Sequence, residues 1–261
     1  MPANERFRQM LNKVPEVTLI FWIIKIMATT VGETGADFLA VHVGLGTAIT
    51  GGTMLALLLA VLVIQLRSSR YIPWVYWLTV VLVSVVGTQI TDALTDGFDV
   101  SLYTSTSVFS VLLAATFAAW YWKERTLSIH TINTIKRELF YWAAILFTFA
   151  LGTAAGDLAT EELSLGFQVG VLVFGALIAA VTVAFYAGAN AVLTFWVAYI
   201  LTRPLGASIG DLLSQSKTYG GLGLGTIMTS LIFFAVMVVL VVVLSIGSNG
   251  LKAAPRTPVG S

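Results

Sequence analysis

With 261 residues, 57% of them hydrophobic and only 10% charged, the chain carries far fewer charges than a soluble domain, where about 25% is usual. A mean hydropathy of +0.91 makes it a polytopic membrane protein whose first partner is the lipid bilayer. It has no cysteine, which excludes disulfides, thiolate metal sites and a cysteine nucleophile; no nucleic-acid partner is expected at a formal charge of +1.

Residues 1–15 read as a polar cytoplasmic tail and not as a signal peptide, because no short apolar core with a cleavage site is present. Eight apolar runs follow, each long enough to span at about 20 residues. They lie near Glu16–Val41, Gly46–Leu66, Tyr71–Leu94, Ser101–Trp122, Leu139–Glu161, Leu165–Ala187, Ala191–Leu213 and Leu222–Ile246. Residues 16–246 form one membrane domain and 247–261 a cytoplasmic tail. The longest connection, Lys123 to Glu138, is expected to hold a short interfacial helix and divides the chain into halves.

The odd spans share a pattern. An aromatic residue precedes Trp22, Trp77, Trp142 and Trp196; ten residues after each Trp comes Gly32, Gly87, Gly152 or Gly206; fifteen after it comes Asp37, Asp92, Asp157 or Asp211. Four ungapped copies define internal repeats, near 16–66, 71–122, 139–187 and 191–246. Each repeat is one polar-marked span, a turn and one plain apolar span. Two spans per repeat make the repeats parallel, related about an axis along the membrane normal, either as a four-fold ring or as two halves. The expected fold is therefore all-α, with eight transmembrane helices as four parallel hairpins, the odd helices lining a polar interior and the even ones facing lipid.

Lysine and arginine set the orientation. Eleven of the fourteen fall on the side of the N-terminus, only Lys217 falls in a loop on the other side, and Lys25 and Arg203 lie within spans. The positive-inside rule then makes both termini cytoplasmic. The acids gather on the opposite side, where they would concentrate cations.

An Asp near the centre of a spanning helix costs about 2.5–3.5 kcal/mol, so four cost on the order of 10 kcal/mol if the terms add. A chain that repeats this cost in register is expected to gather the four groups in a protected or hydrated interior. Positions three, four and seven before each Asp share its helical face. They are Thr34, Glu33 and Thr30; Gln89, Thr88 and Val85; Ala154, Thr153 and Ala150; and Ser208, Ala207 and Pro204. Asp96 and Glu161 extend this face outward. The expected ion pathway therefore comprises the four Asp with Glu33, Thr30, Thr34, Thr88, Gln89, Thr153, Ser208 and Arg203. Arg203 needs a carboxylate or water at its depth, and would neutralise an acid or serve as an internal counter-charge when a substrate cation leaves.

The glycines have two readings: close helix packing in lipid, or unwinding that frees carbonyls for a cation. Pro204 is expected to kink the seventh span. The four repeat tryptophans, with Trp120 and Trp122, read as an interfacial belt. Lys25 reads as a snorkelling side chain. His42, five residues after Asp37, is a weak metal candidate, and His130 in the linker is unrelated.

Carboxylates, hydroxyls and an amide without thiols form a hard-oxygen set suited to Mg²⁺, Ca²⁺ or Mn²⁺. The first reading is thus a cation transporter or channel, with Asp37, Asp92, Asp157, Asp211 and Glu33 as metal ligands and no tightly bound cofactor. A proton or monovalent-cation pathway is the near alternative, and no phosphate-binding Gly-x4-Gly-Lys motif for a primary pump is present. A non-transporting scaffold or sensor is the third reading, with the Asp residues pairing inside a dry interior. An intramembrane acid–base enzyme fits least. Gly156-Asp157 and Gly210-Asp211 resemble the Gly-Asp element of intramembrane aspartyl proteases, but those use two distinct motifs and here the copies are alike. No enzymatic activity is expected, and a homo-oligomer is compatible with the pattern.

The segments Lys13-Val14-Pro15-Glu16-Val17-Thr18 leading to Trp22, Thr29 to Thr34, Thr126-Leu127-Ser128-Ile129-His130, Phe147 to Asp157, and Thr202 to Ala207 carry a resemblance over nearly the whole chain. The chain resembles a bacterial family of uncharacterised membrane-anchored proteins built from four tandem two-helix repeats. That resemblance implies eight helices and a bacterial inner membrane, and it implies no activity.

Overall fold

The structure, a computed structural model, describes residues 12–37 and 46–253, with only the backbone at 33, 36, 37, 47, 161 and 247–253. The described residues form helices and connecting loops with no strand, and eight long helices account for most of them. These are α1 (Leu19–Asp37), α2 (Gly46–Arg67), α3 (Pro73–Asp92), α4 (Leu102–Glu124), α5 (Ile135–Asp157), α6 (Gly166–Tyr186), α7 (Ala191–Ser214) and α8 (Thr226–Ala253). Helices α2 to α8 are long and apolar enough to cross a membrane; the apolar part of α1, Leu19–Gly32, is shorter.

The helix starts follow local chemistry. Pro73, whose missing N–H costs nothing at a first position, opens α3. Ser101 caps α4, Thr134 caps α5 and Asn190 caps α7, each accepting from a backbone N–H of the first turn. The last helix begins at Thr226, four residues later than the hydropathy suggests. The reason is the loop before it, where Gly220, Gly223 and Gly225 have positive φ. That loop turns the N–H groups of Leu222, Gly223, Leu224 and Gly225 onto the carbonyls of Leu212, Gln215, Leu213 and Ser214, and so closes the end of α7.

The four odd helices form a pseudo-four-fold ring in which α1 packs on α3, α3 on α5, α5 on α7, and α7 on α1. The even helices surround it and leave most of their surface exposed. Each of them packs chiefly on the inner helix of the following repeat: α2 on α3, α4 on α5, α6 on α7, and α8 back on α1. The sequence repeat is therefore not the packing unit, because its two helices take different neighbours.

The repeat glycines make the ring possible. A Cβ on Gly87 would lie 2.8 Å from the Cβ of Phe149 and 3.2 Å from the backbone nitrogen of Ala150. Gly32 meets Ser84 in the same way, Gly152 meets Arg203, and Gly206 meets Thr29. In every case the neighbour stands three residues before the glycine of the next repeat. The helices run unbroken through all four glycines, so close packing is their role here and the unwinding alternative is set aside. Departures from α geometry come later. Five-residue π-helical turns, Ala93–Gly97 and Leu158–Glu162, begin directly after Asp92 and Asp157. Pro204 lies inside α7, which continues to Ser214.

The linker forms no interfacial helix. It contains one short 3-10 turn, Ile129–Thr131, between irregular stretches, while its first two residues end α4 and its last four begin α5. Ile129 and Ile132 are buried against the ring, and the indole of Trp196 donates to the Leu127 carbonyl at 3.0 Å. Ile129 and Ile132 pack inward, while residues 133 to 136, Ile135 among them, face outward.

Candidate functional site

The site is the axis of the ring, built in layers from the N-terminal ends of the inner helices. The first layer is aromatic. Phe21, Tyr76, Tyr141 and Tyr199 are buried there, with the Tyr76 and Tyr141 hydroxyls hydrogen-bonded to each other. Phe21 touches Trp77, Phe195 and Tyr199, and Tyr141 touches Trp142 and Trp196. Trp77, Trp142, Trp196 and Trp120 are all buried and Trp22 is partly so, which overturns their reading as an interfacial belt. The end of a span marks a membrane surface only for a helix that faces lipid, and these residues face a ring. Trp122 is exposed, as the belt reading requires.

The second layer holds Lys25, which is 0% exposed. Its ammonium lies 4.0 Å from the centre of the Phe149 ring on α5 and 4.4 Å from that of Tyr199 on α7, and donates to the Thr29 hydroxyl at 3.2 Å. It does not snorkel. The packed aromatic layer separates it from the N-terminal face, and the two rings hold the charge by their quadrupoles, an interaction worth about 2 kcal/mol when desolvated.

The third layer is organised by Arg203, also 0% exposed. One terminal nitrogen of its guanidinium donates to the hydroxyl of Thr88 on the opposite helix α3 and, at 2.6 Å, to that of Thr153 on α5. Thr88 and Thr153 occupy the same register, eleven residues after the repeat Trp. The first repeat places Glu33 there and the fourth Ala207.

The Asp layer comes one turn further on. Asp92, Asp157 and Asp211 are half-buried, at or near the C-terminal ends of their helices, and none of the three lacks an interaction partner. Asp37 closes α1; its side chain, that of Glu33, and the whole of His42 lie outside the described residues. Asp96 is exposed in the first π-turn. Among the described residues no three His, Asp or Glu side chains come together as a metal-holding group.

The remaining predicted residues separate by face. Thr30 belongs to the seam between α1 and α7, donating to the Gly206 carbonyl at 2.9 Å. Thr34, Gln89 and Ser208 share one register and turn away from the axis toward the outer helices. Thr34 accepts from Ser230 of α8 at 2.6 Å. A Cβ on Gly51 of α2 would lie 3.1 Å from the Gln89 amide oxygen, and one on Gly170 of α6 would lie 2.8 Å from the Ser208 hydroxyl. Three residues before an Asp and four residues before it are 100° apart on a helix. In this ring that angle separates a seam with an outer helix from the axis.

Sequence reasoning missed Lys25, Phe149 and Tyr199 as axial groups. The signal available was the register: Lys25 and Tyr199 both stand three residues after their Trp, and Phe149 and Arg203 both stand seven after theirs.

No curated protein matches the chain, and no solved structure matches it. A repeat profile does match, at residues 20–71, 75–126, 140–189 and 194–246, which is most of the chain and agrees with the four copies read from the Trp, Gly and Asp spacing. The protein belongs to the family of the Repeat of Unknown Function (DUF347).

Proposed function

We propose that this protein is a multi-pass transporter of the bacterial inner membrane that moves a cation, a hard divalent ion such as Mn²⁺, Mg²⁺ or Ca²⁺ in preference to a proton or monovalent ion. Asp37, Asp92, Asp157 and Asp211 form its acidic site and Glu33 is a further ligand or proton carrier. In this reading the four hairpins run parallel about an axis along the membrane normal, both termini are cytoplasmic, and the acids face the outer side. The orientation rests on the lysines and arginines that crowd the N-terminal face.

The observation that carries the reading is a built-in cation on the axis, Arg203, held one turn from a registered layer of carboxylates. Acids one turn from a tethered cation can take up a mobile one at little cost in net charge. The half-buried Asp layer lies toward the C-terminal ends of the inner helices, while the aromatic layer fills their N-terminal ends, an asymmetry that suits a carrier resting open to one side.

The test is ion uptake into proteoliposomes with Mn²⁺, Mg²⁺, Ca²⁺ and a proton-sensitive dye, comparing wild type with Asp37→Asn, Asp92→Asn and Asp157→Asn. Flux of one ion, lost by at least ten-fold in each variant while the protein still elutes as folded, is the expected result. No flux of any ion, with the variants melting lower than wild type, overturns it. The packed aromatic layer would then favour the second reading, a scaffold or sensor whose Asp residues specify helix packing.

A further inference from the structure

We propose that the hydroxyls of Tyr71, Tyr76, Tyr141 and Tyr199 form a proton relay through the aromatic layer to Lys25, which exchanges a proton with the N-terminal face along it. The relay rests on geometry. Its use, a counter-flow of protons against the moving cation, rests on the transport reading above.

A lysine as deep as Lys25 is ordinarily paired with an acid, and among the described residues no carboxylate pairs with it. The Thr29 hydroxyl accepts one of its three N–H bonds and donates its own proton to the Lys25 carbonyl at 3.0 Å. The ring faces of Phe149 and Tyr199 stand where a counter-ion would. Burial weighs against the ammonium and the rings weigh for it, so the site accommodates both the charged and the neutral amine. The ionisable groups at this end of the ring are Tyr76 on α3, Tyr141 on α5, and Tyr199 on α7, with Arg203 of α7 acting on Lys25 as a like charge. Residues 226–246 of α8 bring none.

The tyrosines lead to Lys25 in steps. Tyr71, partly exposed just before α3, meets the Tyr76 ring edge-on at 5.7 Å between centres. The Tyr76 and Tyr141 hydroxyls are hydrogen-bonded, and either can be the donor, so this bond can reverse as a proton passes. Tyr199 stands beside Tyr141, at the register of Lys25, three residues after the repeat Trp. The hydroxyls of Tyr71 and Tyr199 are buried and complete no hydrogen bond among the described residues, so the first and last members of the series can turn to either neighbour. The Lys25 nitrogen already lies 4.4 Å from the centre of the Tyr199 ring. Its flexible stem carries a neutral amine from the ring face to the hydroxyl.

A proton taken from water by the Tyr71 oxygen displaces the hydroxyl proton of Tyr71 toward Tyr76. The exchange repeats through Tyr141 and Tyr199, and the Tyr199 proton bonds to the amine lone pair. The N-terminal face loses a proton, Lys25 becomes an ammonium, and every tyrosine ends as a neutral hydroxyl. The reverse sequence returns the proton. Rings packed on rings fill this layer, so hydroxyls pass a proton where a hydrated metal ion would not pass.

The test is proton binding by the purified full-length protein in detergent, titrated against an indicator dye over the pH range in which it stays folded. Wild type is expected to bind one proton more than Lys25→Met. After a pH jump, that proton should arrive at least about ten-fold more slowly in Tyr141→Phe, which keeps the ring and loses the hydroxyl, with the final count unchanged. Tyr186→Phe, at an exposed position on α6, is the control and should match wild type. Equal counts in wild type and folded Lys25→Met overturn the proposal. An unchanged rate in Tyr141→Phe also overturns it, and decides the matter alone if Lys25→Met does not fold. The extra proton and its slowed arrival, without flux of Mn²⁺, Mg²⁺ or Ca²⁺ in proteoliposomes, leave the relay standing and remove the transport reading. Where flux is present, a trapped pH dye is expected to show protons moving against the cation in wild type and not in Lys25→Met. Cation flux without proton movement in wild type refutes the counter-flow.

Discussion

Replacing Gly87 by alanine probes the feature on which the ring depends. The added Cβ would stand 2.8 Å from the Phe149 Cβ and 3.2 Å from the Ala150 nitrogen, against about 3.5–4.0 Å for carbon atoms in ordinary contact. Neither neighbour is the end of a flexible side chain, so α3 and α5 must separate by roughly 1 Å at this level to reach ordinary contact. That movement stretches the bond from the Thr91 hydroxyl to the Ala150 carbonyl, now 3.1 Å, which is worth about 1 kcal/mol. Overpacking adds about 1–3 kcal/mol, and the better helix propensity of alanine returns about 1 kcal/mol. The net loss is about 1–3 kcal/mol. At roughly 2–4 °C per kcal/mol for a chain of this size, the midpoint should fall by about 2–12 °C in a detergent melt followed by tryptophan fluorescence. Gly175→Ala on α6 is the control, since its Cβ would meet nothing within 4 Å; its midpoint should stay or rise. If Gly87→Ala melts with Gly175→Ala, the glycine is not holding the seam. Loss of cation flux at an unchanged midpoint would return the glycine to the carbonyl-exposing role.

Two buried charges give contrasting expectations. Lys25 has no carboxylate partner among the described residues, so Lys25→Met, which keeps the stem volume, should melt within about 1 kcal/mol of wild type or above it. Lys25→Ala opens a cavity and should lose about 2–5 kcal/mol; a methionine variant as unstable as the alanine one would show that the charge itself is required. At the N-terminal face the Lys13 ammonium is paired with Glu138 at 2.8 Å, and that carboxylate also accepts from Gln65 at 2.9 Å, with almost no exposure at either charge. Lys13→Met strands a buried carboxylate and should cost about 3–5 kcal/mol. Adding Glu138→Gln should recover more than half of the loss, and a strictly additive double-variant cycle would refute the pairing.

Much of the fold was legible because membrane helices are announced by length and apolarity, and because the repeat fixed a common register. The eight helices and the inner place of the odd ones follow from these alone. What escaped was the direction of each face within that register. Gln89 and Thr88 are neighbours in sequence and both polar, yet one turns to Gly51 of an outer helix and the other to Arg203 on the axis. Composition cannot separate them, since lipid-side packing and an axial site both accept a small polar group. The tryptophans misled for a related reason. Their position at a span end is shared by helices that meet lipid and helices that meet one another, and only the neighbours decide between the two. Lys25 was read as snorkelling because length allows it; Phe149 and Tyr199, which hold it inside, lie on other helices far along the chain.

The exchange of neighbours between repeats has a consequence for how the site is completed. Each outer helix covers the inner helix of the next repeat, so the first inner helix is covered by the last helix of the chain. Until α8 arrives, α1 presents to lipid a face that carries the Thr34 hydroxyl, and α8 brings Ser230 to donate to it at 2.6 Å. The seam of α1 with α7, where Thr30 meets the Gly206 carbonyl, likewise waits for the fourth repeat. An axial layer that draws Lys25 from the first repeat, Thr88 from the second, Thr153 and Phe149 from the third, and Arg203 and Tyr199 from the fourth cannot exist in a partial ring. Four units of one pattern are thus joined in one chain because their differences meet at the axis. A homotetramer of one repeat would place four lysines, or four arginines, where this chain places one of each.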